Sequence, residues 1–498
     1  MALATVSTRA LLGVAAPSVT VEVHLANGLP SVTVVGLPDA EVREARDRVR
    51  AALASSGCEF PLRRITINLA PADLPKSGSR FDLPIALALL AASNQVPPQR
   101  LASSDVIGEL GLDGAVRPVP GILPAALATK AAGRALILPS ANTAEAQLVS
   151  DLVCYPVSHL NDAIAWLRGE TPAVDLPRPA PLPPSSATPD LAEVKGQAAA
   201  KRALEVAAAG GHSLLLFGPP GSGKSMLAQR LPGLLPMLTE AEALECAAIH
   251  SLIGGFDPAT WRQRPFRAPH HTASVAAMIG GGQGLMLPGE IALAHHGVLF
   301  LDELPEFRRE VLEALREPLE NGAITIARLR QRVTFPARFQ LVAAMNPCPC
   351  GYLGDPSGRC QCTPTAIARY RARLSGPVLD RLDLMVEAPR LSAETLIAAP
   401  AGEPTPVVAT RVAAAIDRQR ARQKKRNAEL TPRELAEVAQ LSPAAEQLLV
   451  TASERLQLSA RSHHRLVKVA RTLADLDGVA AIAPRHVAEA IQLRRTPW

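Results

Sequence analysis

Two hydrophobic periods divide this chain. Near its start, TVEVHLANG (residues 20–28) and SVTVVG (31–36) alternate apolar and polar positions around an Asn-Gly pair, and the pattern predicts two strands joined as a β-hairpin. EVREARDRVRAALASSG (41–57) switches to helical spacing and stops at Gly57, so the first part reads as α/β. Further along, SLLLF (213–217), GVLFL (297–301) and FQLVAAM (339–345) are short apolar runs that predict strands, and AITIARLRQRVTFPARF (323–339) reads as a second hairpin. From about residue 391 onward the pattern is helical, punctuated by Gly and Pro.

Between the two parts, TPAVDLPRPAPLPPSSATP (171–189) contains seven prolines and follows neither period, which predicts an extended, semi-stiff linker. Charge follows the same division. Residues 1–170 carry 14 Lys/Arg against 15 Asp/Glu, whereas residues 171–498 carry 38 against 31, so a polyanionic partner is expected on the second part. No run approaches the ~18 apolar residues of a membrane span, and MALATVSTRALLGVAAPSV lacks the charged start of a signal peptide, which together predict a cytoplasmic protein without a membrane partner.

The chemistry concentrates after the linker. GPPGSGKS (218–225) follows an apolar strand and precedes the helical MLAQRL, the context a phosphate loop needs. Gly218, Pro219, Pro220, Gly221, Ser222, Gly223, Lys224, Ser225 and Met226 are therefore candidate nucleotide contacts. Lys224 would supply charge to the β and γ phosphates, and Ser225 would ligate magnesium. Downstream, Asp302 and Glu303 end an apolar strand; Asp302 would hold Mg²⁺ through water and Glu303 would polarise the attacking water. Asn346, at the end of the next strand, would orient that water or else cap the strand. Arg381, in PVLDRLDL, fits an arginine offered to the γ-phosphate of an adjacent subunit, the alternative being an ion pair within the chain. Arg461, near the start of the helix in SARSHHRLVKVARTLADL, is the candidate to reach nucleotide from the lid, with Arg465 second.

Three further groups are singled out by residue type. RPFRAPHHTASVAAMIGGG (264–282) supplies Arg267, His270 and His271, read as residues of a mobile loop facing a pore or a subunit boundary, or else as packing. Adjacent histidines on a strand or helix point apart, which argues against a shared metal ion. Arg328, Arg330 and Arg332 have one parity and are expected to project from one face of a strand, as a row suited to a phosphate backbone. Cys348, Cys350, Cys360 and Cys362 form two C-x-C pairs across a turn-rich connector and are candidate ligands of a structural Zn²⁺, with free thiols as the alternative. The basic stretch RVAAAIDRQRARQKKR (411–426) reads as a solvated helix face that would add to a DNA-facing surface.

Together these motifs resemble the AAA+ ATPases, and RPFRAPHHT, PGEIALAHHGVLFLDELPEF and AMNPCPCGY are similar to the magnesium-chelatase-like family. With a domain preceding the motor, the chain looks like the YifB/ComM branch of that family, competence-associated DNA branch-migration helicases. The resemblance implies an α/β protein with a Lon-protease-like (ribosomal S5 domain 2-like) domain at 1–170, the linker at 171–189, an AAA+ core with a parallel sheet at 190–390 and a helical lid at 391–498. It also implies ATP and Mg²⁺ as cofactors, a homohexamer, and DNA, single-stranded, duplex or branched, as partner alongside recombination proteins. The expected activity is ATP-driven branch migration in homologous recombination and natural transformation. Two alternatives are a metallation ATPase resembling the magnesium-chelatase motor subunit and an ATP-dependent protease or unfoldase. The Lon resemblance breaks where a nucleophile would be needed: Arg80 stands at the serine position of PKSGSRFDLPIALALL and the lysine is missing from PVPGILPAALATK, so the domain is expected to be a non-proteolytic scaffold.

Overall fold

The computed structural model describes residues 2–171, 189–282, 285–328, 331–355, 358–392, 394 and 400–494. The proline-rich linker reading falls on residues 172–188, outside the described residues. The chain is a mixed α/β protein with two main sheets and a helical C-terminal region.

The first sheet has seven strands in the order Ser31–Val35, Arg64–Ala70, Ser18–Ala26, Ala2–Arg9, Ser104–Val106, Ala135–Pro139 and Cys154–Val157. Both early strands form, but the expected hairpin does not. Arg64–Ala70 inserts between them, antiparallel to Ser18–Ala26 and parallel to Ser31–Val35. The chain leaves Ser31–Val35 through the helix Ala40–Ser55, so a crossover replaces the Asn-Gly hairpin and Arg64–Ala70 pairs along both edges. The helix Asp82–Ala92 is apolar around its whole circumference and every residue of it is buried. Its first residue, Asp82, is held by Arg48 at 2.7 Å.

The second sheet is parallel throughout, in the order Phe266–Arg267, Val298–Leu301, Gln340–Met345, Leu214–Phe217 and Leu384–Glu387. Its central runs are wholly buried, as expected for strands with both faces covered. On one face, Leu214, Leu216, Val298, Phe300, Val342 and Ala344 share a core with the helix Ala198–Gly210 and with the C-terminal helices Thr405–Gln423, Ala460–Leu476 and Pro484–Gln492.

The basic C-terminal stretch is largely solvated, with Arg418, Arg420, Arg422 and Lys424 exposed, but several of its cations also make contacts within the chain. Arg411 pairs with Glu205 and Glu403, Arg422 with Asp475 and Lys425 with Glu434, while Arg418 and Arg426 donate to the carbonyls of Asp475 and Ala208. These five cations tie the helix to its own fold because each finds a carboxylate or a carbonyl within reach.

The parts of the chain built on the two sheets touch at Ser251 and under the second hairpin. Gly121 donates to the Ser251 carbonyl at 2.8 Å, at the end of the helix Glu240–Ser251. Leu11, Leu12 and Val14 pack against the core under the hairpin Ala323–Arg328/Gln331–Pro336, where a methyl on Gly13 would meet Val333 at 2.5 Å.

Candidate nucleotide site

Three adjacent parallel strands end at one place, and the residues that follow them converge there. After Leu214–Phe217 the chain enters the glycine loop, which positive φ at Gly218, Gly221 and Gly223 allows to close tightly before Lys224 starts a helix. Val298–Leu301 delivers Asp302 and Glu303, and Gln340–Met345 delivers Asn346. Ligands of open α/β sheets bind at the carboxyl ends of strands, where all these residues lie.

The site is internally paired. Lys224 Nζ donates to the carbonyls of Gly218 and Pro219 at 2.8 and 2.9 Å and to Asn346 Oδ1 at 3.2 Å. Burial pushes the Lys224 ammonium below its ordinary pKa, and the charges of Asp302 and Glu303 counter that. Ser225 Oγ donates to Asp302 Oδ2 at 2.5 Å, which brings together the two groups a magnesium ion would need. Gln197 reaches into the loop and donates to the Ser222 carbonyl at 3.0 Å, a contact with no local sequence signal. Gly218–Ser225 together with Asp302 thus offer amides, one ammonium and a Ser/Asp pair, a donor set that fits a nucleotide with Mg²⁺.

Glu303 has a partner that sequence reasoning missed. Its backbone sits at φ 54° and its Oε2 lies 3.0 Å from His271 Nδ1. The twin histidines also overturn the expectation of diverging side chains. A turn at residues 271–272 replaces the assumed strand or helix, and the two rings lie together, tilted by 34°, with centroids 4.1 Å apart. His270 Nδ1 pairs with Thr272 Oγ1 at 2.8 Å. Arg267 lies on the sheet's edge strand, not in a loop, and makes a two-point ion pair with Glu290, both distances being 2.6 Å. That pairing commits its guanidinium within the chain.

A second histidine pair, His295 and His296, stands with Glu245 in a separate cluster, at 3.0 and 2.9 Å from Glu245 Oε2. Desolvation, with His296 beside it, pushes His295 down to about 4, so its ring is neutral at neutral pH. The backbone amide of Arg338 donates to His295 Nδ1 at 2.9 Å, which leaves the proton on Nε2 and directs it to Glu245. The group forms a hydrogen-bonded clasp, and its three ligand atoms lie within 4.8 Å of one another, close enough to hold a metal ion.

Arg381 is paired with Glu320 of its own chain, the alternative its sequence context left open. Its carbonyl accepts from Ser213 Oγ at 2.5 Å, and two residues later Asp383 lies 3.5 Å from His212 and 3.2 Å from Arg465. Against the desolvation of its buried site, His212 and Arg465 hold the Asp383 carboxyl at about 2. Arg465 thereby ties the helix Ala460–Leu476 to the Arg381 segment, while Arg461 is exposed at that helix's start.

The hairpin forms, but not with a one-faced arginine row. Arg328 pairs with Gln331 and Ala327 with Arg332 across an antiparallel hairpin. Parity does not carry across a reversal. Arg328 shares the face of Ile324 and Ile326, and Arg332 lies on the opposite face with Ala327. Both side chains are exposed near the tip, and Arg330 lies outside the described residues. Ile326 and Arg328 approach Gly280 and Gly281, so the glycine-rich loop and the hairpin adjoin.

In the first sheet's domain, Arg80 is fully buried, donates to the carbonyls of Pro120 and Arg9, and burial pushes it down to about 10. Lys76 Nζ donates to the Pro71 carbonyl and Ser79 Oγ to Glu109.

Residues 190–396 match the family described as magnesium chelatase, subunit ChlI; residues 21–142 match subunit ChlI of Mg-chelatase, and residues 402–494 its C-terminal region. Protein YifB of Salmonella typhimurium is 51% identical over 496 residues, covering 99% of this chain and 97% of that protein. Competence protein ComM of Haemophilus influenzae is 48% identical over 503 residues, covering 99% and 98%. A magnesium-chelatase 67 kDa subunit of Chlorobaculum parvum is 28% identical over 128 residues, covering 26% and 18%.

Proposed function

The chain belongs to the magnesium-chelatase ChlI family and is an ATPase of the ComM type, and from that premise we propose that it is an ATP-driven DNA translocase that moves strand junctions during homologous recombination in natural transformation. It works as a homohexamer in the cytoplasm, with Arg381 of each chain serving the site of its neighbour. Lys224 binds the β and γ phosphates, Ser225 and Asp302 hold Mg²⁺, Glu303 polarises the attacking water and Asn346 orients it. Arg461 reaches the nucleotide from the lid. Recombination proteins are further partners.

What carries the DNA reading is the placement of Arg328 and Arg332, both exposed near the tip of a hairpin whose second strand leads directly into the strand ending at Asn346. A push on the hairpin therefore has a short covalent path to the catalytic end of the sheet. The glycine-rich loop, at Gly280 and Gly281, forms the adjoining surface. No helix among the described residues is long and apolar enough to cross a membrane.

Two observations weigh against the alternatives. YifB and competence protein ComM are similar over 99% of this chain at 51% and 48% identity, whereas the 67 kDa chelatase subunit is similar over 26% of it, which favours the ComM-type reading over a metallation role. The burial of Arg80 and the separate engagement of Lys76 and Ser79 disfavour proteolysis.

Replacing Arg328, Arg330 and Arg332 with alanine is expected to weaken DNA binding uniformly across sequences. The log-log salt slope should fall by about 0.9 for each duplex phosphate that is no longer neutralised, or about 0.7 on single strands. DNA-independent ATP hydrolysis should continue while unwinding of a branched substrate fails. Fluorescence anisotropy over a salt series reads the slope; unchanged binding would make the hairpin tip a solvated edge and move DNA recognition to His270 and its loop.

A further inference from the structure

We infer that Cys348, Cys350, Cys360 and Cys362 bind one zinc ion as a tetrathiolate, and that this knot is a fixed wall of the nucleotide site, so that ATP turnover depends on a second metal besides magnesium. The clamp role rests on the nucleotide reading of Lys224 and Asn346, whereas the metal itself does not.

Geometry supports the ion. The four sulfurs lie within 4.8 Å of one another. Cys348 is 3.4 Å from Cys350 and 3.8 Å from Cys360, and Cys350 is 3.7 Å from Cys360. Zinc–sulfur bonds of about 2.3 Å in a tetrahedron place sulfurs about 3.8 Å apart. A disulfide would bring a pair to about 2.05 Å, and all four thiols are free.

The surroundings give the ion a purpose. Among the described residues from Cys348 to Cys362 there is neither helix nor strand, and Cys348 alone of the four cysteines is fully buried. Such a segment has little apolar burial to order it, and a tetrathiolate would supply what the core does not. It also lies against the catalytic loop. Cys348 follows Asn346 by two residues, and Asn346 Oδ1 accepts from Lys224 at 3.2 Å. Gly351, at φ +82°, donates to the Cys348 carbonyl at 3.0 Å and sits so close to the phosphate loop that a Cβ there would meet Pro220 at 2.6 Å and Asn346 at 3.6 Å. The turn between the first two ligands and the loop around the phosphates therefore pack directly on each other. Loosening the knot removes the backing of Pro220 and Asn346 together.

The full-length chain, purified without chelator, is expected to carry about one zinc per chain by elemental analysis. Exchange with cobalt(II) should give the visible absorption of a tetrahedral thiolate site, a readout independent of ATP. Removing zinc with an organomercurial, followed by thiol, should keep the far-ultraviolet circular dichroism yet lower both fluorescent-nucleotide affinity and ATP hydrolysis at least tenfold, and zinc alone should restore them. Cys362→His is expected to keep the metal and most activity, whereas Cys360→Ala should lose both. A folded, active protein free of zinc, or one with iron in its place, overturns the site. A zinc-bearing protein whose nucleotide affinity and turnover survive removal of the metal overturns the clamp. Should wild-type protein carry zinc yet bind no nucleotide, the failure lies with the ATPase reading.

Discussion

Replacing Glu303 by glutamine is expected to slow ATP hydrolysis by about two to four orders of magnitude while leaving nucleotide affinity nearly unchanged. The amide keeps the shape of the carboxylate and loses only its capacity to polarise water. Binding rests elsewhere, on Lys224, the loop amides and the Ser225–Asp302 pair, whose hydroxyl and carboxylate are 2.5 Å apart. The backbone that aims Glu303 is fixed independently of its side chain, by its own amide donating to Asp302 Oδ1 at 2.9 Å. The carboxylate lies 3.0 Å from His271 Nδ1, so a water-polarising role would require its release from that ring. Phosphate release and fluorescent-nucleotide titration measure the two quantities separately. Undiminished turnover would assign the water-polarising role to another group.

Arg381→Ala is expected to reduce turnover by about three to five orders of magnitude, the range seen when an arginine that neutralises the transferring phosphate is removed. The decisive experiment uses two inactive chains. Lys224→Ala cannot hydrolyse its own nucleotide but still offers Arg381, whereas Arg381→Ala keeps an intact phosphate loop. Mixed, they should regain part of the wild-type rate, because some interfaces then combine a complete loop with a complete arginine. Arg381 is paired with Glu320 of its own chain, so the proposed role in a neighbour's site would require that partner to be exchanged for a phosphate. Activity that never reappears on mixing would make the Glu320 pair the whole of its role.

The nucleotide site is legible in the sequence because each of its parts is local. A phosphate loop, an acid pair after an apolar run and an asparagine after the next run are each written within a few residues, and a parallel sheet brings strand ends together without further instruction. Whatever depends on a chain reversal or on a distant partner is not legible in this way. The Asn-Gly signal at residues 27–28 loses to Arg64–Ala70, which pairs with both flanking strands and satisfies more backbone groups than a two-stranded ribbon would. The arginine parity fails because Arg328 and Arg332 lie on different strands of an antiparallel hairpin. Arg267 departs from its expected loop role because Glu290, 23 residues away, takes its guanidinium. The His271–Glu303 pair spans 32 positions in the chain and leaves no periodic trace. The cysteine spacing, by contrast, is informative, since a turn-rich connector of that length brings four sulfurs together.

The central claim is that ATP hydrolysis at the Lys224–Glu303 site is coupled to DNA, and it is tested most directly by measuring the ATP hydrolysis rate of the full-length chain, at low salt, with no DNA and with single-stranded, duplex and branched DNA. Coupling predicts hydrolysis that rises with DNA, falls back as salt is raised, and is accompanied by movement of the junction in the branched substrate. Hydrolysis indifferent to all three, with no DNA binding at low salt, would contradict it.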